Sequence, residues 1–218
     1  MTRRGLTAAS IALVAAMLIA SIGVGIGLPA EARLPVHWSA AGEVDGDAPK
    51  WVALLFTPVL TAALSLLFYV LPAIEPRSRG LERSQGLYLW GWAALLFMQA
   101  VIELVILATA LGRSVPVPDV VVGALGVMLV LIGNQLGKSR SMYLIGVRTP
   151  WTLASEEVWI KTHRLGGKLM VLAGLLMVAA SALPFSPEAR GLAVMLFGGT
   201  AVIVPVAYSY ALWHRERR

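Results

Sequence analysis

Six apolar stretches alternate with shorter polar connections along this chain of 218 residues. About 18 consecutive apolar residues are enough for an α-helix to cross the hydrocarbon core of a bilayer. The fourth and fifth stretches are slightly shorter, but each borders residues that can extend it. The pattern predicts an all-α membrane bundle of six transmembrane helices over residues 6–28, 51–73, 87–111, 120–136, 169–184 and 191–213.

The first apolar stretch also has features of a secretory signal, because an arginine pair precedes it and Ala30, Glu31 and Ala32 follow it. Its apolar run of about 23 residues is longer than the 7–15 residues of a signal core. Alanine recurs every fourth residue from Ala8 to Ala20, a spacing that lets membrane helices pack closely. We therefore expect a retained helix rather than a cleaved signal.

Two connections are long enough to carry structure or function. Residues 29–50 are rich in proline, glycine and acidic side chains, which predicts an irregular loop on the extracytoplasmic side. Residues 137–168 form the longest connection, which begins extended because Pro150 disfavours helical geometry at Thr149.

A short amphipathic helix is predicted in the second half of this fourth connection. Ser155 is placed to cap its N-terminus, and the glycine pair 166–167 is placed to end it. Its apolar positions share one face, so we expect the helix to lie among the lipid headgroups with Trp159 as its anchor.

Composition agrees with a membrane protein, since 58% of the residues are hydrophobic and 14% are charged. Soluble domains carry roughly 25% charged residues. The formal net charge is +6, but the positive side chains are spread over the connections. That distribution favours lipid headgroups over nucleic acid as the partner. The chain has no cysteine, which excludes disulfides, thiolate metal sites and cysteine nucleophiles.

The distribution of lysine and arginine predicts the topology. Of the 18 such residues, 14 lie at the two termini and in the second and fourth connections, and four lie in the first, third and fifth. Positive residues accumulate on the cytoplasmic side of a membrane. We therefore expect both termini in the cytoplasm of a multi-pass protein of the bacterial inner membrane.

Glu103 is the one acidic residue deep inside a predicted transmembrane helix. Ionisable residues in such positions are costly and are functional candidates by default. Gln99 lies one turn earlier on the same face, within reach of a hydrogen bond to Glu103. Two interpretations stay open, a proton or cation site and a protonated carboxyl group that bonds a neighbouring helix.

The usual signals of catalysis are absent from the sequence. It contains no HExxH, GxSxG or P-loop motif, and its three histidines lie in separate segments. His37, Glu43, Asp45 and Asp47 share the first connection, but their spacing matches no established pattern of metal ligands. We expect no enzyme activity, no cofactor and no metal, and an acidic outer loop that attracts cationic peptides.

The fourth connection resembles the signature of the SdpI-type immunity protein family. The family pattern combines a GN pair, one or two basic residues, a GxRTPWT segment, a serine, a VWxKTxR segment and a glycine-rich helix start. It is carried here by Gly133, Asn134, Gly146, Arg148, Thr149, Pro150, Trp151, Thr152, Ser155, Val158, Trp159, Lys161, Thr162 and Arg164.

The first connection resembles the small membrane domain that often precedes the SdpI module. The matching positions are Leu34, Pro35, His37, Trp38, Gly42 and Asp45. The resemblance implies two membrane domains of three helices each, over residues 1–112 and 113–218.

The resemblance implies immunity or signalling directed at a secreted, membrane-active peptide toxin, together with docking of a cytoplasmic transcriptional repressor. The fourth connection would report the toxin to the cytoplasm through its exposed tryptophan and arginine. The same residues can instead hold the loop to the helix ends, with Arg148 capping helix C-termini and Trp151 in the headgroup layer. Two other classes stay open, an ion-coupled transporter centred on Glu103 and an accessory subunit of a membrane complex.

Overall fold

Six long helices account for most of the chain, in agreement with the predicted all-α bundle. The structure is a computed structural model that describes residues 1–216; Arg217 and Arg218, which entered the charge distribution, lie outside the described residues. The six spanning helices are α1 (Arg3–Gly27), α2 (Lys50–Ile74), α4 (Gln85–Ala110), α5 (Val117–Leu136), α7 (Glu156–Ala182) and α8 (Pro187–Glu216). Two short helices, α3 (Ser78–Arg83) and α6 (Pro150–Ala154), lie in the connections.

Contacts between helix ends show that successive spanning helices run antiparallel. Arg3 at the start of α1 donates to the Tyr69 carbonyl near the end of α2, and the Arg140 amide after α5 donates to Ser84 before α4. We call the side of the bundle that carries both termini the terminal side. The other side carries the connection between α1 and α2 and is called the hairpin side.

The core lies where α4 meets its neighbours on the terminal side. Trp92 of α4 is fully buried, and the Phe68 ring of α2 packs against it and against Tyr88. Met142 and Trp159 join the same cluster from the long connection and from α7. The long connection is therefore part of the packed interior.

The connection between α1 and α2 forms a β-hairpin, so the prediction of an irregular loop is wrong. Strands β1 (Arg33–Trp38) and β2 (Val44–Pro49) pair antiparallel, and Arg33 forms an ion pair with Asp47 across them. The turn is possible because Gly42 adopts φ +86°, a conformation that glycine accepts without a steric penalty. Leu34 packs into a second buried cluster with α2 and α4, which fixes the hairpin on the bundle.

The predicted amphipathic helix of the fourth connection is not a separate element. Helix α7 runs without interruption from Glu156 to Ala182, and the pair Gly166 and Gly167 lies inside it. Both glycines are buried where α7 meets its neighbours, so close packing stabilises the helix through them. Trp159 is fully buried and therefore is not a headgroup anchor.

Candidate functional site

The long connection on the terminal side, residues 137–155, is held in place by a carboxylate of another segment. Glu75, directly after α2, is 5% exposed and accepts three backbone N–H bonds. Its Oε1 accepts from the Arg77 amide at 2.9 Å and the Tyr143 amide at 3.0 Å, and its Oε2 accepts from the Leu144 amide at 2.8 Å. Charge-assisted bonds of this kind are stronger than neutral ones.

Arg77 joins the same two segments from the other direction. Its guanidinium donates to the Ser141 hydroxyl and, at 3.1 Å, to the carbonyl of Leu153 in α6. The guanidinium also lies over the Tyr143 ring, 4.6 Å from the centroid, a favourable cation–π geometry. Glu75 and Arg77 together form what we call the clasp between the α2–α4 connection and the long connection.

The signature threonines build the start of α6. Thr149 is extended, as Pro150 predicts, and its hydroxyl accepts from the Thr152 amide at 3.2 Å. In return the Thr152 hydroxyl accepts from the Thr149 amide at 2.9 Å, which completes a reciprocal capping arrangement. Thr152 is fully buried and also donates to the Val147 carbonyl, so these residues shape the loop from within.

Trp159 and His163 form a buried stack below the loop. Their rings are 3.9 Å apart at 18°, and both side chains are fully buried. The Trp159 indole donates to Ser139 at 3.2 Å, and His163 Nε2 accepts from the Val147 amide at 2.9 Å. The first turns of α7 therefore bind the beginning and the middle of the long connection.

Trp151 attaches the loop to the last helix. Its indole nitrogen donates to the Ser209 hydroxyl at 2.6 Å. Its ring packs edge-on against Tyr210, with the centroids 5.3 Å apart, and lies 6.1 Å from the ring of Trp213. Trp151 thus packs within the protein, on α8.

The remaining signature residues divide into structural and exposed positions. Ser155 caps α7 by accepting from the Val158 amide, and Thr162 is fully buried. The exposed positions are Asn134, Arg148, Pro150, Lys161 and Arg164. Arg148 does not cap a helix; its guanidinium donates to the Tyr143 carbonyl at 2.9 Å within the loop. Lys161 forms an ion pair with Glu157 one turn earlier, and Asn134 and Arg164 line a shallow groove on the outside.

The two polar residues inside the bundle do not bond each other as the sequence suggested. Glu103 is 2% exposed, and its Oε1 accepts from the Ser21 hydroxyl of α1 at 2.5 Å. Gln99 donates to the Thr61 hydroxyl of α2 at 3.3 Å. Each side chain thus bonds a different neighbouring helix, because successive turns of α4 face α1 and α2. Among the described residues, Glu103 Oε2 has no hydrogen-bond partner.

The outer-loop residues of the signature lie in the hairpin. His37 and Asp45 face each other across the strands, with Nδ1 and Oδ1 2.5 Å apart, and both are exposed. Pro35 is half-buried in β1, and Trp38 lies over a cavity that Ile102 and Pro118 also line. The hairpin therefore covers the hairpin-side ends of α4 and α5.

Sequence reasoning missed both residues of the clasp. The available signal was an acidic residue, Glu75, directly after an apolar stretch and before Pro76, in a connection that is otherwise strongly basic. A charge at that position is close to the bilayer and needs partners. Its partners lie 68 and 69 residues further along the chain, beyond the reach of local patterns.

Fold and site define the class as a multi-pass bacterial membrane protein in which a structured loop joins the helix ends on one side. Residues 138–209 match the model of the SdpI/YfhL protein family, and residues 12–62 match a domain of unknown function, DUF1648. The chain is 28% identical to Immunity protein SdpI of Bacillus subtilis (strain 168) over 173 residues, which cover 79% of each chain. No solved structure matches.

The resemblance seen in the two connections is confirmed by these matches. The chain is therefore similar to the SdpI-type membrane immunity proteins, and the family match itself covers residues 138–209.

Proposed function

We propose that this protein protects a bacterium from a secreted, membrane-active peptide, or senses that peptide, and reports it through residues 137–155. The relative's name, Immunity protein SdpI, supports the immunity half of the proposal. In this proposal the domain of residues 1–112 meets the peptide through the hairpin and the bundle. The domain of residues 113–218 docks a repressor on the terminal side. This side faces the cytoplasm in the proposal, because positive residues accumulate on the cytoplasmic side of a membrane.

One observation carries the docking half of the proposal. The long connection is held from within by the clasp, by Thr152 and by Trp159, yet Arg148 and the Tyr143 ring remain exposed on it. Arginine and tyrosine are enriched among residues that dominate binding energy at protein interfaces. A loop that is already ordered loses little conformational entropy when a partner binds.

The test is protection of a sensitive bacterium that expresses this chain and is challenged with the peptides secreted by the source species. We expect preserved membrane potential and growth with the parent chain. We expect loss of protection or of repressor capture in the Arg148→Ala variant, at equal amounts of inserted protein. Arg215→Ala is the control, because it removes one exposed positive charge from the terminal side, outside the signature and outside the long connection.

Trp151→Phe separates the packing of Trp151 on α8 from its hydrogen bond to Ser209. The smaller ring keeps most of the packing on α8 and loses the bond to Ser209. If the loop acts because it is held against α8, Trp151→Phe should weaken protection less than Trp151→Ala does. Normal protection by both Arg148→Ala and Trp151→Ala would contradict the proposal.

A second candidate function is ion-coupled transport centred on Glu103. The supporting observation is that Glu103 Oε2 is buried and has no hydrogen-bond partner among the described residues. A carboxyl group that binds and releases a proton needs such a free position. In proteoliposomes with a pH-sensitive dye, Glu103→Gln would abolish proton-linked flux while the exposed Glu43→Gln retains it. Absence of flux with the parent chain would remove this candidate.

A further inference from the structure

A strongly basic cleft opens on the terminal side, outside the clasp. It has a volume of about 610 Å³ and lies between the α2–α4 connection and the segment that joins α5 to α7. We call it the basic cleft and define it by four arginines on its walls: Arg77, Arg79, Arg83 and Arg140. Glu156 is the acidic residue on its lining, so the walls carry a net charge of about +3.

Two of the four arginines are free to bind a ligand. Arg77 is engaged in the clasp, and Arg140 lies 3.8 Å from Glu156, measured from Nε to Oε1. Arg79 and Arg83 are exposed, and no ion pair or hydrogen bond of their side chains is found within residues 1–216. They lie four residues apart, a spacing that places both side chains on one face of a helical segment.

The position of the basic cleft relative to the membrane indicates which anionic ligand it can bind. Arg83 lies two residues before the start of α4, and Glu156 is the first residue of α7. The apolar stretch of α4 begins at residue 87, four residues after Arg83, so the Arg83 end of the cleft lies at the level of the lipid headgroups. The planar guanidinium group of arginine can donate two parallel hydrogen bonds to a phosphate, and basic pockets between membrane helices bind anionic headgroups.

We propose that the basic cleft binds the phosphate headgroup of an anionic phospholipid, with Arg79 and Arg83 as its primary contacts. The hydroxyls of Ser78 and Ser141, which also line the cleft, can donate further hydrogen bonds. A bound headgroup bridges the two segments that Glu75 and Arg77 already join. Lipid composition therefore sets how firmly the long connection is held.

The test measures binding of cardiolipin to the full-length chain in phosphatidylcholine nanodiscs, by native mass spectrometry and by titration. We expect the parent chain to retain cardiolipin in preference to phosphatidylcholine. The R79Q/R83Q variant should bind it about 30-fold more weakly, since each basic residue near a membrane surface contributes about fivefold. R79K/R83K should retain much of the affinity, because the charges remain.

The matched control is R4Q/R215Q, which removes two exposed charges from the same side of the bundle and outside the basic cleft. We expect it to bind cardiolipin nearly as the parent does. An equal loss of cardiolipin affinity in both double variants would show that any exposed positive charge on this side attracts the lipid. That result would overturn the proposal. Unchanged binding by R79Q/R83Q would overturn it as well.

Two further binding measurements distinguish a lipid headgroup from other anionic ligands. Displacement of cardiolipin by millimolar inorganic phosphate would indicate a site for free phosphate rather than lipid, and would overturn the lipid assignment. Binding of a polyglutamate peptide without binding of cardiolipin would indicate an acidic protein segment instead. Thermal unfolding checks the fold of R79Q/R83Q, and the single variant R83Q replaces it if the double variant is unstable.

Discussion

The carboxylate of Glu75 determines, at the scale of one residue, where the long connection lies. Its three N–H donors come from two segments that are far apart in sequence, and the group is almost fully buried. An ionised carboxylate accepts at both oxygens and has no hydrogen to donate. The chemistry of the three donors therefore requires an acid at position 75 rather than its amide.

Replacing Glu75 by glutamine tests this requirement. The amide nitrogen cannot accept a hydrogen bond, so at least one of the Tyr143 and Leu144 amides loses its partner. An unsatisfied buried donor costs roughly 1–3 kcal/mol. We expect faster hydrogen exchange at these two amides in nanodiscs, with little change in the spanning helices. Glu82→Gln, an exposed change of the same kind, is the control; equal protection in both variants would contradict the prediction.

The residues of the signature could be read from the sequence, but their partners could not. Ser155 as an N-cap and Thr149 as an extended residue follow from local rules and are confirmed. The burial of Trp159 depends on Ser139 and Met142 of the long connection, which local patterns do not connect to it. A tryptophan near a membrane boundary suits both an interface and a packed interior, so only the tertiary contacts distinguish the two.

At the scale of elements, the apolar stretches predicted all six spanning helices, whereas the hairpin was missed. Strand patterning is weak there, because Leu34 is the one buried residue of the two strands and the register shifts after Pro35. Proline, glycine and acidic residues usually indicate a loop. In this hairpin the pairing is supported by the exposed ion pair between Arg33 and Asp47 and by contact with α2 and α4.

The ion pair between Arg33 and Asp47 makes the stability of the hairpin depend on pH. The hydrogen bond from Arg33 lowers the pKa of the Asp47 carboxyl below its ordinary value. A lowered pKa stabilises the folded hairpin above the ordinary value of about 4, and the contribution is lost as the pH falls through the lowered pKa. Titration of the Asp47 carboxyl carbon by NMR should give a midpoint below the ordinary value for aspartate, and the midpoint should return toward that value in Arg33→Gln. An unchanged midpoint in that variant would show that Arg33 is not the cause.

At the scale of the whole molecule, the second half of the bundle is organised by paired glycines where α5 meets α7. A Cβ atom added at Gly126 would lie 2.6 Å from the Gly174 carbonyl oxygen, and one added at Gly167 would lie 2.6 Å from the Gly133 carbonyl oxygen. The pairs are seven residues apart on each helix, so two turns separate them along the interface. Small residues at such spacing let helix backbones approach closely in a membrane.

Enlarging one member of a pair should separate α5 from α7 and release the structures that depend on both. In Gly126→Leu the added side chain meets backbone on the opposite helix, which cannot yield as a flexible side chain can. Overpacking costs typically 1–3 kcal/mol in a well-packed interior, and we expect at least that loss of stability. Gly23→Leu and Gly199→Leu are the controls, because no atom lies within 4 Å of a Cβ at either position.

The measurement is thermal unfolding in detergent, followed by the fluorescence of the buried tryptophans. Gly126→Leu should unfold at a lower temperature than the parent, whereas both controls should stay close to it. Because α7 also carries Trp159 and His163, separation of α5 from α7 should loosen the long connection even though position 126 lies near the middle of the membrane. A stable Gly126→Leu variant with an ordered connection would contradict this prediction.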